Sequence, residues 1–387
     1  MEQELISNPH IAIIGAGPSG CICAKFLIDE GFNVTLFDKG EILHTLLPTG
    51  GGKCNLAPAQ FYFKELSKNY PRGEKFLYSV FSKFGVNDTL EFFEHLGVKT
   101  YTRADKRIFP TSNSSKDVQE KFVKALKGIK FIKENIIEII PKSNKYSVKT
   151  NKDSYDFDVL VIAIGGHAGV QILKNFNLKI NEQTQALVGL TTQKDYSELA
   201  GVSFKNIKCE NYQGDILFTH KGISGPLIYT ISSIHARKEF PYKLKLKLME
   251  DVDFQDLLNK NSHKEIKNLV GQFVPKSFAK YLLEDLNIAP DTMCHKIDGK
   301  TRNRITNTLY NFEITVTGKV SDGEVVTCGG IDLKEINPKT MEAKKYPNLY
   351  FCGEILDIDG FCGGYNLQSC WSTGAIAAKS IISNFLV

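Results

Sequence analysis

Three glycines near the start of the chain have the spacing of a phosphate-binding turn. Gly15, Gly17 and Gly20 form the pattern G-x-G-x-x-G, in which the first glycine permits a tight turn and the second lets the backbone approach a pyrophosphate group. The chemistry would be electrostatic, because free N–H groups at the start of a helix attract negative charge. Asp38 follows about 20 residues later, where a carboxylate can hold a ribose hydroxyl group. These residues predict a dinucleotide site.

The segments around these residues have the pattern that such a site needs. Residues 11–14 are an unbroken apolar run, as expected of a strand that is buried on both faces of a parallel sheet. Apolar residues at helical spacing follow the glycines, and residues 34–37 form a second apolar strand that ends at Asp38. This order favours a dinucleotide site over the alternative, a glycine-rich turn in another kind of α/β protein.

Two further glycine-rich stretches could contact the same ligand. Gly50, Gly51 and Gly52 are consecutive, so they cannot form the interior of a stable helix or strand, and Lys53 and Asn55 add a cation and an amide. The sequence leaves two interpretations of this loop open, a second backbone clamp on the cofactor and a flexible surface loop. Residues 156–166 form another apolar strand, and its two closing glycines indicate a ligand or a close chain crossing.

Near its end the chain again has a strand that ends in an acid, followed by a helix that begins at glycines, as it has near its start. Residues 348–354 predict a last core strand that ends in an acid, and Gly363 and Gly364 then open a helix that runs to about Phe385. Backbone N–H groups and a carboxylate would again face one ligand. A second clamp so far along the chain favours FAD over NAD, because the ribityl chain and the flavin of FAD also need to be held.

The middle of the chain differs in character. Residues 186–325 begin with short alternating runs that predict antiparallel strands, and residues 252–310 read as basic helices. We expect an inserted domain in which a small β-barrel or sheet carries a helical part. Its lysines are most simply a solvated face, because acids are interleaved with them.

Composition limits the classes of protein that the chain could belong to. The net charge of +5 suits anionic phosphates without by itself indicating nucleic acid, and no apolar stretch reaches the ~18 residues of a membrane span. The nine cysteines form no C-x-x-C pair, which argues against a zinc site or a dithiol relay. We therefore expect no metal, reduced thiols and a cytoplasmic location.

Several ordered motifs resemble those of one known family, the YhiN/BaiN-like FAD-binding oxidoreductases, also called aminoacetone-oxidase-like. This family belongs to the flavoproteins of the glutathione-reductase type, with two dinucleotide-binding motifs. Residues 49–55 (TGGGKCN) look like the family's SGGGRCN, and residues 215–226 (DILFTHKGISGP) are similar to its L-L-F-T-H-x-G-x-S-G-P. Further resemblances cover residues 107–112 (RIFPTS), 329–341 (GGIDLKEINPKTM) and 349–374.

The resemblance implies an α/β fold, in which a Rossmann-like FAD-binding domain with a parallel sheet and three layers is split by an inserted β-barrel and helical subdomain. The implied domains are residues 1–185 and 326–387 for FAD, and residues 186–325 for the insert, with the helical subdomain at about 252–310. The residues implied to bind FAD are Gly15, Gly17, Pro18, Ser19, Gly20, Asp38, Lys39, Gly51, Gly52, Lys53, Cys54, Asn55, Gly165, Gly166, Gly353, Glu354, Asp357, Gly364, Tyr365 and Asn366.

The sequence departs from the family pattern at two places. Lys53 stands where the family has arginine, so a bidentate fork for phosphate becomes a point charge. After Gly166 the chain continues HAGVQILKNF instead of the family's S-Y-P-x-x-G-S-T-G-D-G. That segment borders the flavin in the family. The family's substrate pocket and redox partner are therefore the properties that carry over least well to this chain.

Few side chains are needed for acid–base chemistry, because a flavin carries the hydride chemistry itself. His220 and His167 are the candidate catalytic residues, since the ordinary pKa of histidine suits proton transfer. The alternatives are that His220 only pins the insert against the FAD domain and that His167 caps a helix. Cys54 has no partner cysteine within a few residues, so a small buried side chain is the simpler interpretation.

The leading hypothesis is an FAD-dependent oxidoreductase that transfers a hydride through flavin N5 to or from a small organic substrate. No second G-x-G-x-x-G with a strand before it is visible, so NADH or NADPH would act as a transient electron donor without a domain of its own. One alternative is an oxygen-using amine or hydroxy-acid oxidase. Another is a flavin-bound protein associated with RNA, which the interleaved acids disfavour; nucleic acid is therefore not the expected partner.

Overall fold

The computed structural model describes residues 8–166, 169–320 and 326–386. The chain divides into two compact units. The first comprises Met1–Thr184 and Val326–Val387, and the second comprises Gln185–Val325.

The first unit begins with a long run of strands and helices. In chain order these are β1 (His10–Ile14), α1 (Pro18–Asp29), β2 (Asn33–Asp38), α2 (Thr49–Gly52, one turn), β3 (Ala57–Pro58), α3 (Phe63–Ser67), α4 (Glu74–Phe81), α5 (Val86–His95), β4 (Thr100–Thr102), β5 (Arg107–Pro110), α6 (Ser115–Ala125), β6 (Lys130–Lys133), β7 (Ile136–Pro141), β8 (Tyr146–Thr150), β9 (Ser154–Phe157), β10 (Val159–Ile162) and β11 (Ile180–Ala186).

The second unit follows, and the chain then returns to the first. The elements of the second unit are β12 (Leu190–Thr192), β13 (Ser203–Cys209), β14 (Tyr212–Thr219), β15 (Gly222–Ser224), α7 (Pro226–Ile234), β16 (Tyr242–Lys247), α8 (Phe254–Lys260), α9 (Ile266–Val270), α10 (Lys276–Asp285), α11 (Gly299–Tyr310) and β17 (Phe312–Lys319). The returning elements are β18 (Val326–Ile331), β19 (Leu349–Phe351) and α12 (Tyr365–Phe385).

A five-stranded parallel sheet forms the centre of the first unit. Its strand order is β19-β10-β1-β2-β6, and every neighbouring pair is parallel. The apolar runs predicted as buried strands are buried, since all of β10 and residues 11–14 of β1 are enclosed. The carboxyl ends of parallel strands meet at one edge, which is where ligands of such sheets bind.

Two further layers pack on this sheet. Phe37 of β2 makes edge-to-face contacts with Tyr155 and Phe157 of the antiparallel sheet β7-β8-β9. On the helical side α1 and α12 are close neighbours, because Gly374 has no side chain: a Cβ there would lie 2.3 Å from the carbonyl oxygen of Ser19. The predicted fold class, a Rossmann domain with a parallel sheet, is confirmed.

The second unit contains a closed six-stranded barrel, in the order β12-β15-β14-β13-β16-β17. The alternating residues of β16 behave as predicted, with tyrosine and leucines buried while Lys243 and Lys245 are exposed. Lys243 pairs with Glu313 at 2.6 Å, in keeping with a solvated face. The helices predicted for residues 252–310 are α8 to α11, whose apolar faces share one core with the barrel.

Among the described residues, every helix is too short or too polar to span a lipid bilayer.

Candidate functional site

The glycine turn after β1 passes very close to the end of β10. Gly15 has a φ of +109°, and its N–H donates to the carbonyl of Phe37 at 2.8 Å. A Cβ at Gly15 would lie 2.2 Å from the carbonyl oxygen of Ala163, and one at Gly20 would lie 1.9 Å from that of Gly15. Only glycine fits either position. The turn therefore places the free N–H groups at the start of α1 at the carboxyl edge of the sheet.

Asp38 ties the end of β2 to this turn. Its Oδ2 accepts a hydrogen bond from the N–H of Ala16, and its Oδ1 accepts one from the N–H of Gly40, both at 2.7 Å. The side chain is half-buried. Each carboxylate oxygen can accept more than one hydrogen bond, so ribose hydroxyl groups can still reach it.

A cavity of about 220 Å³ opens beside Asp38 and Gly15. Its walls come from the ends of β1 and β2 and from the segment after β6, including Glu134 and Ile136. A cavity at this edge, next to a carboxylate and a glycine turn, suits the adenosine end of a dinucleotide. A larger cavity of about 660 Å³ lies among α1, α5, α6 and α12 and includes none of the predicted site residues.

The loop at residues 49–55 is ordered by its neighbours. Gly50, Gly51 and Gly52 all have left-handed φ angles, of +59°, +65° and +79°, so α2 is a left-handed turn and not a right-handed helix. Ser115 Oγ, at the start of α6, donates to the carbonyls of Leu47 and Gly52 at 2.7 and 3.0 Å. These bonds order the loop and argue against a flexible loop, while its role as a clamp on the cofactor stays a prediction.

Three side chains complete this loop. Lys53 is exposed, whereas Cys54 and Asn55 are buried. Burial raises the pKa of the Cys54 thiol to about 12, with a smaller opposing effect from a hydrogen bond with Thr49, so Cys54 is a neutral thiol at ordinary pH. Asn55 Oδ1 is buried and has no hydrogen-bond partner among the described residues, which leaves a polar acceptor for a ligand.

The end of β19 meets the start of α1. Gly353 has a φ of +79°, and a Cβ there would lie 2.3 Å from Ser19 Oγ. Glu354 Oε1 accepts a hydrogen bond from the N–H of Thr327 at 2.6 Å. The carboxylate of Asp357 accepts from Asn181 Nδ2 at 2.8 Å and from the N–H of Gly329 at 3.1 Å. Asp357 thus holds the backbone in place, and any role next to the ribityl chain would be in addition to this one.

The start of α12 lies against the glycine loop. Gly364 has a φ of +94°, and a Cβ there would lie 2.6 Å from the carbonyl carbon of Ala57. Trp371 Nε1 donates to the carbonyl of Leu56 at 3.0 Å. The two predicted cofactor-binding segments, which are far apart in the chain, are therefore adjacent in the structure.

Asn366 and Tyr365 differ in what they contact. Asn366 closes the preceding loop, since its Oδ1 accepts from the N–H of Gly360 at 2.8 Å and its Nδ2 donates to the carbonyl of Gly360 at 2.9 Å. Tyr365 is half-buried and its ring packs edge-to-face on Tyr70. Trp371 is fully buried in the core.

Thr327 lies against the predicted cofactor segment at Gly166, and the sequence did not single it out. Its hydroxyl is buried without a partner among the described residues, and a Cβ at Gly166 would lie 2.1 Å from it. Gln183 Nε2 donates to the carbonyl of Gly166 and fixes the same turn. No local pattern distinguishes Thr327 from other residues of an apolar strand, so only its packing against Gly166 reveals it.

The two candidate catalytic histidines stay predictions. His220 lies in the turn between β14 and β15 of the second unit, and its side chain is exposed. His167 lies outside the described residues. Within the described ranges, no group of three or more His, Cys, Asp or Glu side chains could hold a metal ion.

The site of the first unit fits FAD. The glycine turn and Asp38 suit the adenosine and pyrophosphate, while the left-handed loop and the start of α12 extend the same edge of the unit. Asn55 Oδ1 and Thr327 Oγ1 are buried and have no hydrogen-bond partner among the described residues, and a ligand can supply such partners.

Comparisons with known proteins agree with this geometry. The sequence profile of the family described as "HI0933-like protein Rossmann domain" matches residues 9–380. The chain is 28% identical over 396 residues to the "Ribosomal RNA dihydrouridine synthase" of Escherichia coli (strain K12), covering 96% of this chain and 97% of that protein. It is 26% identical over 409 residues to the "3-dehydro-bile acid delta(4,6)-reductase" of Clostridium scindens (strain ATCC 35704 / DSM 5676 / VPI 13733 / 19), covering 96% and 98%.

Solved structures show the same fold at lower identity. A flavocytochrome c3 fumarate reductase in its open conformation matches with a TM-score of 0.51 and 13% identity, over 99% of this chain and 80% of that one. A 3-ketosteroid-Δ4-(5α)-dehydrogenase from Rhodococcus jostii RHA1 matches with a TM-score of 0.51 and 10% identity, over 98% and 97%. The chain belongs to the HI0933-like family of FAD-binding Rossmann-domain proteins, and it is an oxidoreductase.

Proposed function

We propose that this protein reduces a carbon–carbon double bond that is conjugated with a carbonyl group, and that its substrate is a uridine in ribosomal RNA. The observation that carries the proposal is a shared bond type among relatives that match almost the whole chain. Dihydrouridine is uridine with its 5,6 double bond saturated, and a bile acid Δ4,6-reductase acts on double bonds conjugated with a 3-ketone. The two substrates differ in size and charge, but in both of them the double bond that is reduced is conjugated with a carbonyl group.

The residues of the first unit bind and orient the cofactor in this proposal. Gly17, Ser19 and Gly20 offer backbone N–H groups to the pyrophosphate, while Gly15 and Pro18 shape the turn that presents them. Asp38 with Lys39 borders the adenosine ribose. When bound and reduced by two electrons, the flavin of FAD would supply a hydride from its N5 atom. The remaining predicted contacts, Gly51, Gly52, Lys53, Cys54, Asn55, Gly165, Gly166, Gly353, Glu354, Asp357, Gly364, Tyr365 and Asn366, would line the ribityl chain and the flavin.

Reduction also requires a proton at the carbon next to the carbonyl group. We assign this role to His220 or His167, because a histidine side chain is suited to proton transfer. A His220→Gln variant with unchanged rates of flavin oxidation by the RNA would remove His220 from the mechanism and leave it a structural residue.

Several expectations become part of this proposal. NADH or NADPH reduces the flavin by docking transiently, and residues 186–325 act as an inserted domain. The location is the cytoplasm, in keeping with nine free cysteines. From the sequence alone, nucleic acid is not an expected partner, and the proposal of an RNA substrate replaces that expectation. A small conjugated enone is the second candidate, because one relative is named for a bile acid.

The experiment uses protein loaded with FAD and reduced anaerobically. It is mixed with ribosomal RNA that lacks dihydrouridine, or with a steroid 4-en-3-one. Reoxidation of the flavin by the RNA, with a uridine heavier by two hydrogens, would support the proposal. Reoxidation by the steroid alone would favour the second candidate, and reoxidation only by oxygen, in the presence of an amine or hydroxy acid as reductant, would favour an oxidase.

A further inference from the structure

We infer that the buried ion pair between Arg72 and Asp359 is a positioning device that sets the first turn of α12 against the cofactor. This inference rests on the proposed placement of FAD at that turn. It adds residues that are neither glycines nor predicted ligands.

The pair itself is bidentate and enclosed. Arg72 donates through both Nε and Nη2 to the two carboxylate oxygens of Asp359. The Asp359 side chain is 0% exposed and that of Arg72 is 17% exposed. An enclosed carboxylate cannot contact a ligand in the site, so Asp359 acts through the backbone that it holds. Two parallel hydrogen bonds also fix the angle between the two segments, which a single contact would not do.

The segment around Arg72 contacts the whole loop that leads into α12. The N–H of Phe361 donates to the carbonyl of Asn69 at 3.0 Å. Tyr70 Oη donates to the carbonyl of Tyr365 at 2.6 Å. We call residues 69–73 the brace.

Two glycines show how closely the brace and the loop fit. A Cβ at Gly73 would lie 2.8 Å from Ile358 Cγ1, and a Cβ at Gly360 would lie 2.8 Å from the ring of Tyr70. The loop therefore cannot shift relative to the brace without a clash or a lost hydrogen bond.

The consequence falls on the N-terminal amides of α12. Gly364 is the N-cap of this helix, and the N–H groups that follow it have no partners within the helix. Small displacements of such a preorganised group weaken its interaction with a bound ligand. The brace thus holds the amides at one place before the cofactor arrives.

The test compares Asp359→Asn with Asp158→Asn. Asp158 is also a buried carboxylate with a lysine partner, Lys145, and it accepts from the N–H of His10 at 2.9 Å. It lies at the opposite edge of the parallel sheet, where β10 begins, so it controls for the loss of a buried charge. The readouts are the FAD dissociation constant of the apoprotein, the flavin reduction potential, and amide hydrogen exchange of residues 360–366 without FAD.

The expected result is an FAD dissociation constant raised by about tenfold or more in Asp359→Asn, with a shifted potential and faster exchange at residues 360–366. Asp158→Asn should stay within about twofold of the wild type in the FAD dissociation constant. Arg72→Lys keeps the cation and should lie between the wild type and Arg72→Gln. Unchanged affinity, potential and exchange in Asp359→Asn would overturn the inference.

A milder variant covers the case in which Asp359→Asn does not fold. Tyr70→Phe removes the hydroxyl group that holds the Tyr365 carbonyl and changes little else. It should weaken FAD binding and speed exchange at residue 365, and an unaltered dissociation constant would likewise overturn the inference. Because these readouts need no substrate, wild-type protein that binds FAD but leaves RNA and enone unreduced would refute the proposed function alone.

Discussion

Ser19 and Gly353 are in direct contact, although one opens the first helix and the other follows the last strand of the same unit. Ser19 Oγ donates to the carbonyl of Cys352 at 3.5 Å, and Gly353 leaves no room for a side chain beside it. The start of α1 and the segment after β19 thus meet at the carboxyl edge of the parallel sheet, where the cofactor site is proposed.

This contact predicts a strong effect of Gly353→Ala. The added Cβ would lie 2.3 Å from Ser19 Oγ on a backbone with a φ of +79°, so the variant should lose about 1–3 kcal/mol of unfolding free energy and bind FAD more weakly. Gly31→Ala is the control, because Gly31 has a φ of +80° with nothing within 4 Å, and it should lose only about 1 kcal/mol. Urea unfolding and FAD titration measure both effects. Equal losses in the two variants would contradict the close contact.

Asp38→Ala should weaken FAD binding by roughly tenfold to a hundredfold. The variant loses the ribose contacts and also frees the N–H groups of Ala16 and Gly40, and hydrogen bonds to a charged group contribute about 1.5–3 kcal/mol each. Asp29→Ala removes an exposed carboxylate of the same helix–strand unit that pairs with Lys25, and serves as the control. Flavin occupancy of Asp38→Ala equal to that of wild type would remove Asp38 from the site.

Trp371 offers a direct optical probe, because it is the single tryptophan of the chain. It is fully buried on α12, and its indole N–H holds the Leu56 carbonyl beside the glycine loop. We expect its fluorescence to be quenched as FAD titrates the apoprotein, since oxidised flavin absorbs where tryptophan emits. Constant Trp371 emission during saturable flavin binding would place the flavin elsewhere.

Thiol labelling separates Cys54 from Cys362. Burial disfavours the thiolate and raises the pKa of Cys54 to about 12, so at pH 8 this residue should resist iodoacetamide even where the loop reaches solvent. Cys362 is exposed and should be alkylated first in native protein. Mass spectrometry of wild type and of Cys362→Ser locates the alkylated cysteines. Rapid labelling of Cys54 in the native protein would contradict the burial of its side chain in the loop.

Local patterns predicted most of the fold. Ser114 is the N-cap of α6, a position that serine favours, and its Oγ accepts a hydrogen bond from the N–H of Asp117 at 3.2 Å. The apolar runs at residues 11–14 and 159–162 form adjacent parallel strands, because unbroken apolar sequences favour strands buried on both faces. Glycine spacing predicted the turn at residues 15–20 in the same way.

The contacts that build the site are mostly between distant segments, and no local pattern encodes them. Trp371 meets Leu56 and Arg72 meets Asp359 only once the chain has folded. The family resemblance implied Asp357 as a cofactor-binding residue, but its hydrogen bonds with Asn181 and Gly329 depend on two other segments. A pattern of residue types shows which groups can bind a ligand. Whether those groups already form hydrogen bonds within the protein depends on tertiary packing.

The central claim is tested most directly by anaerobic stopped-flow spectroscopy of the FAD-loaded protein. The flavin is first reduced with NADPH or NADH, and then mixed with ribosomal RNA that lacks dihydrouridine. We predict bleaching of the oxidised flavin bands in the first step, and their return in the second step together with one saturated uridine per turnover. A reduced spectrum that persists with both the RNA and a conjugated enone would contradict it.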